Sequence, residues 1–392
     1  MKSYDRTMFA CFVGYIVQAI VNNFVPLLFL TFRDSYSLPL GQITFLVTFN
    51  FGVQLFVDFL SASFVDKIGY KTAIVIAHAA SALGFVLLAV LPELINPFAG
   101  LLIAVCVYAV GGGLIEVLVS PIMESCPTPN KEKAMSLLHS FYCWGHVGVV
   151  ALSTLFFGIA GTAHWKILAL LWATVPTANL VLFLFSPIAP LLKEGERGMT
   201  MRELAKSRLF WVFFLMMFCA GASEQAVSQW ASAFAEQGLG VSKTVGDLAG
   251  PLSFALLMGT ARAVYGKWGD KIRLNLFITG SLILCVISYL SISLIPNPIV
   301  GFVGCGLCGF SVGILWPGTF SNASASLKRG GTTMFALLAL AGDVGCSAGP
   351  TLTGTLSSFF GDNLHLGILC GVCFPVLFLV CMLFLSKRNG SW

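Results

Sequence analysis

The chain has 392 residues, of which 57% are hydrophobic and 10% charged. A soluble chain carries about 25% charged residues, so a soluble globular protein is excluded. The net charge of +5 does not point to nucleic acid, because the basic residues lie in short loops between apolar runs and form no single basic face.

Apolar windows predict twelve membrane-spanning helices, near 7–32, 40–64, 70–92, 98–124, 134–160, 164–186, 208–236, 243–267, 273–295, 298–322, 332–360 and 364–386. The first follows Lys2 and Arg6 and is too long for a signal-peptide core, so it reads as a retained span. It carries Gln18, Asn22 and Asn23; Gln18 and Asn22 are four apart and share a face. The second carries Asp58 and runs into the loop Asp66-Lys67-Ile68-Gly69-Tyr70-Lys71.

The fourth span holds one formal charge, Glu116. A carboxylate in mid-span is costly in hydrocarbon and faces a protein interior or a wet cavity. Gly111, Gly112 and Gly113 before it leave room for a neighbouring helix or a ligand. Pro121 after it weakens the backbone ladder. His139 and His146 in the fifth span are candidates for a proton relay, since histidine titrates near neutral pH; the alternative is a packed, hydrogen-bonding histidine.

The longest link, Pro187 to Leu209, is rich in charge and divides six spans from six. The expected domains are residues 1–190, a linker 191–207 with a short amphipathic surface helix, and residues 208–392. Span seven supplies Glu224, Gln225, Ser228, Gln229 and Trp230, and span eight Arg262 before the loop acid Asp270. Span ten supplies Trp316 and Asn322, and span eleven Asp343. The glycine run from Gly301 to Gly313 lacks a preceding strand and a Lys-Ser/Thr ending, so it reads as close helix packing and not as a phosphate loop. The C-x-x-C pairs Cys305/Cys308 and Cys370/Cys373 lie on apolar helices without nearby histidines and read as small membrane-helix residues. No metal or cofactor is expected beyond a coupling proton.

Lysine and arginine set the orientation. Eighteen of the 22 fall on one set of loops and ends, three on the other, and Arg262 lies inside a span. The positive side is cytoplasmic, which places both termini and the long link there and makes the chain a multi-pass protein of the cell membrane.

The halves repeat. Ala62-x3-Asp66-Lys67 returns as Gly266-x3-Asp270-Lys271, shifted by 204; Gly145-His-Val-Gly148 returns as Gly342-Asp-Val-Gly345, shifted by 197; Gly113 falls opposite Gly313, shifted by 200. Matches in order at nearly constant offset predict two six-helix bundles related by a parallel repeat, with the site between them.

The loop at Asp66 and its echo resemble the cytoplasmic loop motif of the major facilitator superfamily, G-x3-D-(R/K)-x-G-x-(R/K), with Ala62 in place of the first glycine and Arg273 in place of a glycine in the second copy. Within that superfamily, GLIEVLVSPIM of span four and the Asn22-Asn23 pair look like the fucose–galactose–glucose proton symporters. That group's span-one aspartate is not found here; Asn22 and Asn23 are the nearest polar residues. The resemblance implies an all-α fold of twelve transmembrane helices in which spans 1, 4, 7 and 10 line a cavity and 2, 5, 8 and 11 make the contact between bundles.

On that plan the expected substrate-binding residues are Asn22, Asn23, Glu224, Gln225 and Trp316, whose amides, carboxylate and aromatic face suit a neutral sugar-like solute; interhelical hydrogen bonding is the plainer role. Glu116 and His146 are expected in proton coupling, and Asp58, Asp66, Arg262, Asp270 and Asp343 in a charge network that holds a gate. The expected activity is secondary transport of a small polar solute by alternating access. The alternative is export of cationic or lipophilic drugs, which the WGHVGVV of span five disfavours because it lacks the glycine-proline motif of such exporters. An enzyme is not expected, because no nucleophile–base pair or metal-ligand spacing is found. The expected partners are a small-molecule solute and the lipid bilayer, without nucleic acid, for a monomer.

Overall fold

The computed structural model describes residues 4–38, 40–191, 197–231, 243–361 and 363–389, and among them every regular element is a helix. In chain order they are α1 (Asp5–Asn23), α2 (Phe29–Tyr36), α3 (Leu40–Ile68), α4 (Tyr70–Leu94), α5 (Pro97–Ser125), α6 (Lys131–Ala160), α7 (Trp165–Phe185) and α8 (Met201–Ala205). Then follow α9 (Arg208–Ser228), α10 (Lys243–Trp268), α11 (Leu274–Leu294), α12 (Pro298–Val312), α13 (Leu315–Ser326), α14 (Gly331–Phe359), α15 (Leu364–Cys370) and α16 (Cys373–Asn389). Eleven described stretches are long and apolar enough to cross a membrane. The remaining predicted span, near 243–267, coincides with α10. Large apolar side chains such as Phe56, Leu83, Leu155, Ile287 and Phe384 point outwards, as a bilayer solvent allows.

Among the described residues, three spans are broken where the sequence reads as continuous. The first stops at Asn23, passes through a 3-10 turn at Val25–Leu28 and resumes as α2. Pro26 explains the break, since it lacks the N–H that a continuous helix would use. The tenth breaks between α12 and α13, with Pro317 in the first turn of α13, where a missing N–H costs little. The twelfth breaks between α15 and α16. At Pro121, by contrast, α5 runs through without interruption.

Two helices open alike. Asn96 caps α5 by accepting a hydrogen bond from the Ala99 N–H at 3.1 Å, with Pro97 in the first helical position. Asn297 caps α12 the same way, accepting from Ile299 N–H at 2.9 Å, with Pro298 following. Both are N-caps followed by a residue whose missing donor would have been unpaired anyway.

The chain divides into two compact units. Unit 1 comprises Met1–Pro127, Trp144–Gly198 and Gly331–Ala336; unit 2 comprises Thr128–Cys143, Met199–Gly330 and Leu337–Trp392. The first turns of α6 therefore pack with unit 2, and the first turns of α14 with unit 1. Within unit 2 a Cβ at Gly266 would meet Leu137 at 2.9 Å. Within unit 1 the Thr333 hydroxyl donates to the Ala62 carbonyl at 3.1 Å.

In unit 1, the Gly111–Gly113 run serves three helices at once. A Cβ on Gly111 would fall 2.5 Å from the Ala77 carbonyl of α4; on Gly112, 2.8 Å from Val21 of α1; on Gly113, 3.0 Å from Val57 of α3. Successive residues on a helix point about 100° apart, so a run of glycines lets α4, α1 and α3 all close on α5. Aromatic packing continues the core, with Tyr108 stacked on Phe85 at 5.3 Å and Phe85 edge-on to Phe24 at 6.1 Å. In unit 2 the same device joins α9 to α14, where a Cβ on Gly345 would fall 2.0 Å from the Phe218 carbonyl and one on Gly349 2.4 Å from that of Ala222.

Candidate functional site

Among the described residues, each unit holds a cluster of the predicted polar residues inside its apolar packing. In unit 1 it is built by α1, α3 and α5. Gln18 and Asn22 are one turn apart on α1, and Asn50 and Gln54 one turn apart on α3, so the two helices face each other with matched amide pairs. Gln18 Nε2 donates to Glu116 Oε2 at 2.9 Å and to Gln54 Oε1 at 3.0 Å. Gln54 Nε2 in turn donates to Asn22 Oδ1 at 2.8 Å, and Asn50 Nδ2 to the same oxygen at 3.3 Å. An ionised carboxylate accepts only, so Glu116 fixes which end of Gln18 faces it, and the order of donors and acceptors follows down the chain of amides. Gln18, Gln54 and Asn50 are buried at 2%, 2% and 4% exposure, whereas Glu116 and Asn22 are half-buried. Asn22 and Asn50 border a recess whose other walls are Val21, Val25, Pro26, Leu46 and Tyr108. One turn past Glu116, the Tyr15 hydroxyl meets Ser120 Oγ at 2.9 Å.

In unit 2 the cluster centres on Arg262 of α10. Its Nε donates to the Gly313 carbonyl at 2.8 Å, where α12 ends. Its Nη1 donates to the His139 carbonyl at 3.2 Å and to Cys143 Sγ at 3.1 Å, and its Nη2 to Glu224 Oε2 at 3.5 Å. The Arg262 carbonyl accepts from Ser136 Oγ at 2.8 Å. A guanidinium with fixed donors joins several acceptors in this way, where an ammonium would not. Gln225 Nε2 donates to Glu224 Oε1 at 3.3 Å, and Gln229 Nε2 to Gln225 Oε1 at 3.0 Å.

The other predicted residues fall as follows. Asn23 donates to the carbonyl of Ala19 on its own helix at 2.9 Å. Trp316 is half-buried, edge-on to Phe320 at 6.4 Å, with its ring against Gly342. His139 is buried with its ring 5.9 Å from that of Phe320, and His146 is half-buried on α6. Asp58 is fully buried on α3 and Asp343 half-buried on α14. Asp66 lies in α3, with its side chain outside the described residues. Asp270 accepts from Asn130 Nδ2 at 3.0 Å and pairs with Lys133 at the first turn of α6. Lys133, and after it Asn130, hold the Asp270 carboxyl below its ordinary range. Glu132, in the same turn, accepts from the Tyr265 hydroxyl at 3.0 Å.

Asn50 and Gln54 had a sequence signal that goes unused in a reading centred on charges: two amides four apart in an otherwise apolar span, answering Gln18 and Asn22. Among the described residues no group of three or more His, Cys, Asp or Glu side chains is placed to hold a metal ion.

The profile of the Major Facilitator Superfamily matches residues 7–350. The chain belongs to that superfamily. It is thus a multi-pass membrane transporter by family, with the all-helical fold the repeat implied. No curated protein matches it in sequence. Among solved structures, the E. coli fucose:proton symporter superposes with a TM-score of 0.83 at 14% identity, covering 97% of this chain and 99% of that one. The proton:xylose symporter XylE, bound to 6-bromo-6-deoxy-D-glucose, gives 0.79 at 14% identity, covering 98% and 95%. The human organic anion transporter TETRAN gives 0.72 at 18% identity, covering 98% and 100%. At these identities the likeness shows the fold alone.

Proposed function

We propose that this transporter moves a small, neutral, sugar-like solute across the cell membrane by alternating access, coupled to protons. The observation that carries the reading is the Glu116 carboxylate, half-buried in mid-span and hydrogen-bonded to Gln18 within a chain of amides. Amides exchange hydrogen bonds with hydroxyl groups in both directions. A lone carboxylate among them gains and loses a proton as its surroundings dry and wet. Asn22, Asn23, Glu224, Gln225 and Trp316 are the residues we assign to the solute, and Glu116 with His146 to the proton. Asp58, Asp66, Arg262, Asp270 and Asp343 hold the closed arrangement of the gate in this reading, and the arginine- and lysine-rich loops face the cytoplasm.

Solved transporters of sugars and of organic anions share this fold, so charge at the site decides the cargo. A cationic cargo is less well served, because Glu224 already has Arg262 as counter-ion. The test is uptake of labelled L-fucose and D-xylose into sealed liposomes bearing the purified protein. Acidifying the outside should drive accumulation of at least one of them. Glu116→Gln should abolish that accumulation while solute exchange at equal pH persists. Accumulation by Glu116→Gln at the wild-type level would overturn the coupling role.

A further inference from the structure

We infer that Asn22 and Asn50 form a hydroxyl-binding subsite whose donor and acceptor polarity is set by Glu116 through the Gln18 and Gln54 amides. The solute class rests on the function proposed above; the relay itself does not. Asn22 Oδ1 already accepts from Gln54 and Asn50, which leaves its amide nitrogen to face the recess as a donor. Asn50 Oδ1 is buried without a hydrogen-bond partner beside the same recess. One donor and one acceptor between the apolar walls of Val25, Pro26 and Leu46 match a hydroxyl group, which gives one hydrogen bond and takes another. A buried acceptor left without a donor is costly, so a hydroxyl-bearing part of the solute that satisfies Asn50 Oδ1 is favoured over an apolar one.

The second orphaned atom lies at the other end of the chain. Gln18 Oε1 is buried without a partner, turned towards Gly112, because both hydrogens of Nε2 are used by Glu116 and Gln54. The ionised carboxylate holds Gln18 in that sense. When Glu116 takes a proton from water, its new O–H is a donor, and Gln18 turns Oε1 to receive it. Gln54 then presents Nε2 to Gln18 and Oε1 to Asn22. Asn22 follows by presenting its nitrogen to Gln54 and its oxygen to the recess, and Asn50, which had donated to that oxygen, turns Oδ1 to the new donor and Nδ2 to the recess. The subsite therefore reverses, acceptor at Asn22 and donor at Asn50, so the solute hydroxyl is held differently in the two states of Glu116. The titratable groups on the surrounding helices include Tyr15 on α1, Asp58 on α3, His78 on α4, Tyr108 and Glu124 on α5, and His146 on α6.

The relay is tested without a solute. In protein with isotope-labelled glutamine side chains, the amide carbonyl bands are followed by infrared spectroscopy through a pH titration in detergent. They should shift in step with the neutral carboxyl band of Glu116. The shift should vanish in Glu116→Gln and be lost for Asn22 in Gln54→Met, read with labelled asparagine. Amide bands that stay fixed while Glu116 titrates would overturn the relay. The subsite is tested by binding of L-fucose, D-xylose and glycerol. Asn50→Leu should weaken the polyol that binds by about tenfold, the loss of one hydrogen bond. Gln54→Met should bind it without the pH dependence of wild type. Wild-type affinity in Asn50→Leu would overturn the subsite. If none of the three polyols binds wild type, the sugar-like reading and the subsite fail together, and the infrared result decides the relay by itself.

Discussion

Arg262 Nη2 lies 3.5 Å from Glu224 Oε2, with the two side chains only 5% and 14% exposed. Removing one member of a buried pair leaves an uncompensated charge and costs about 3–5 kcal/mol. Glu224→Leu and Arg262→Leu should therefore each lower the thermal unfolding midpoint in detergent markedly. The double variant should recover the part due to Glu224. Full recovery is not expected, because the Gly313 and His139 carbonyls lose their donor whichever way Arg262 goes. Strictly additive losses in the double variant would show that the two charges do not interact.

The glycines before Glu116 make a graded prediction. Gly111→Ala drives a methyl against the Ala77 backbone carbonyl, which cannot swing aside. Gly112→Ala meets the tip of Val21 and, at 3.1 Å, Gln18 Oε1, both ends of side chains. Overpacking costs about 1–3 kcal/mol, and the larger share should fall on Gly111→Ala. Gly112→Ala should keep more stability yet disturb the Gln18 amide. Thermal unfolding separates the first effect, and the pH dependence of uptake reads the second. Equal unfolding midpoints for the two variants would contradict the three-way packing of this run.

Asp270 gives a pH prediction. Its carboxyl is held below the ordinary range because Lys133 and Asn130 hydrogen-bond the ionised form. A group whose folded pKa is depressed stabilises above its unfolded pKa, about 3.9 for aspartate, and loses that contribution as pH falls through the folded value. The difference in unfolding midpoint between wild type and Asp270→Asn should be constant near neutrality and shrink below about pH 4. The pair is solvent-exposed, so the difference should also fall as salt is raised. A difference that grows on acidification would reverse the assignment.

The repeat and the long apolar runs made the fold legible, because a bilayer-spanning helix advertises itself by length and by the scarcity of charge. Most of the polar residues inside the spans were legible for the same reason: each is costly there, so each stands out. Their partners were not. Asp58 and Arg262 each lie eight residues before a repeated loop acid, Asp66 or Asp270, yet Arg262 finds its counter-ion on α9 and three further acceptors on α6 and α12. Those contacts are set by which helix faces which, and an apolar periodicity leaves that nearly free. The breaks at Asn23 and Gly313 escaped for a related reason. A proline in an apolar run is compatible with a continuous helix, as Pro121 in α5 shows, or with a restart, as Pro26 and Pro317 show. Neighbouring helices decide between the two.

Trp316 and Gly342 test whether the indole sits where the solute reading needs it. A Cβ on Gly342 would fall 2.2 Å from Trp316 Cη2, far inside contact distance. The ring is half-buried and edge-on to Phe320, which itself packs on His139, so it has little freedom to move back. Gly342→Ala should therefore destabilise by about 1–3 kcal/mol and displace the indole towards solvent. Trp316→Phe shortens the ring at the point of collision, and combined with Gly342→Ala it should recover most of the lost unfolding midpoint. Solute binding should respond differently: weakened by Gly342→Ala, and not restored by the second change, if the indole face is part of the site. Recovery of both stability and binding in the double variant would leave Trp316 as a packing residue alone.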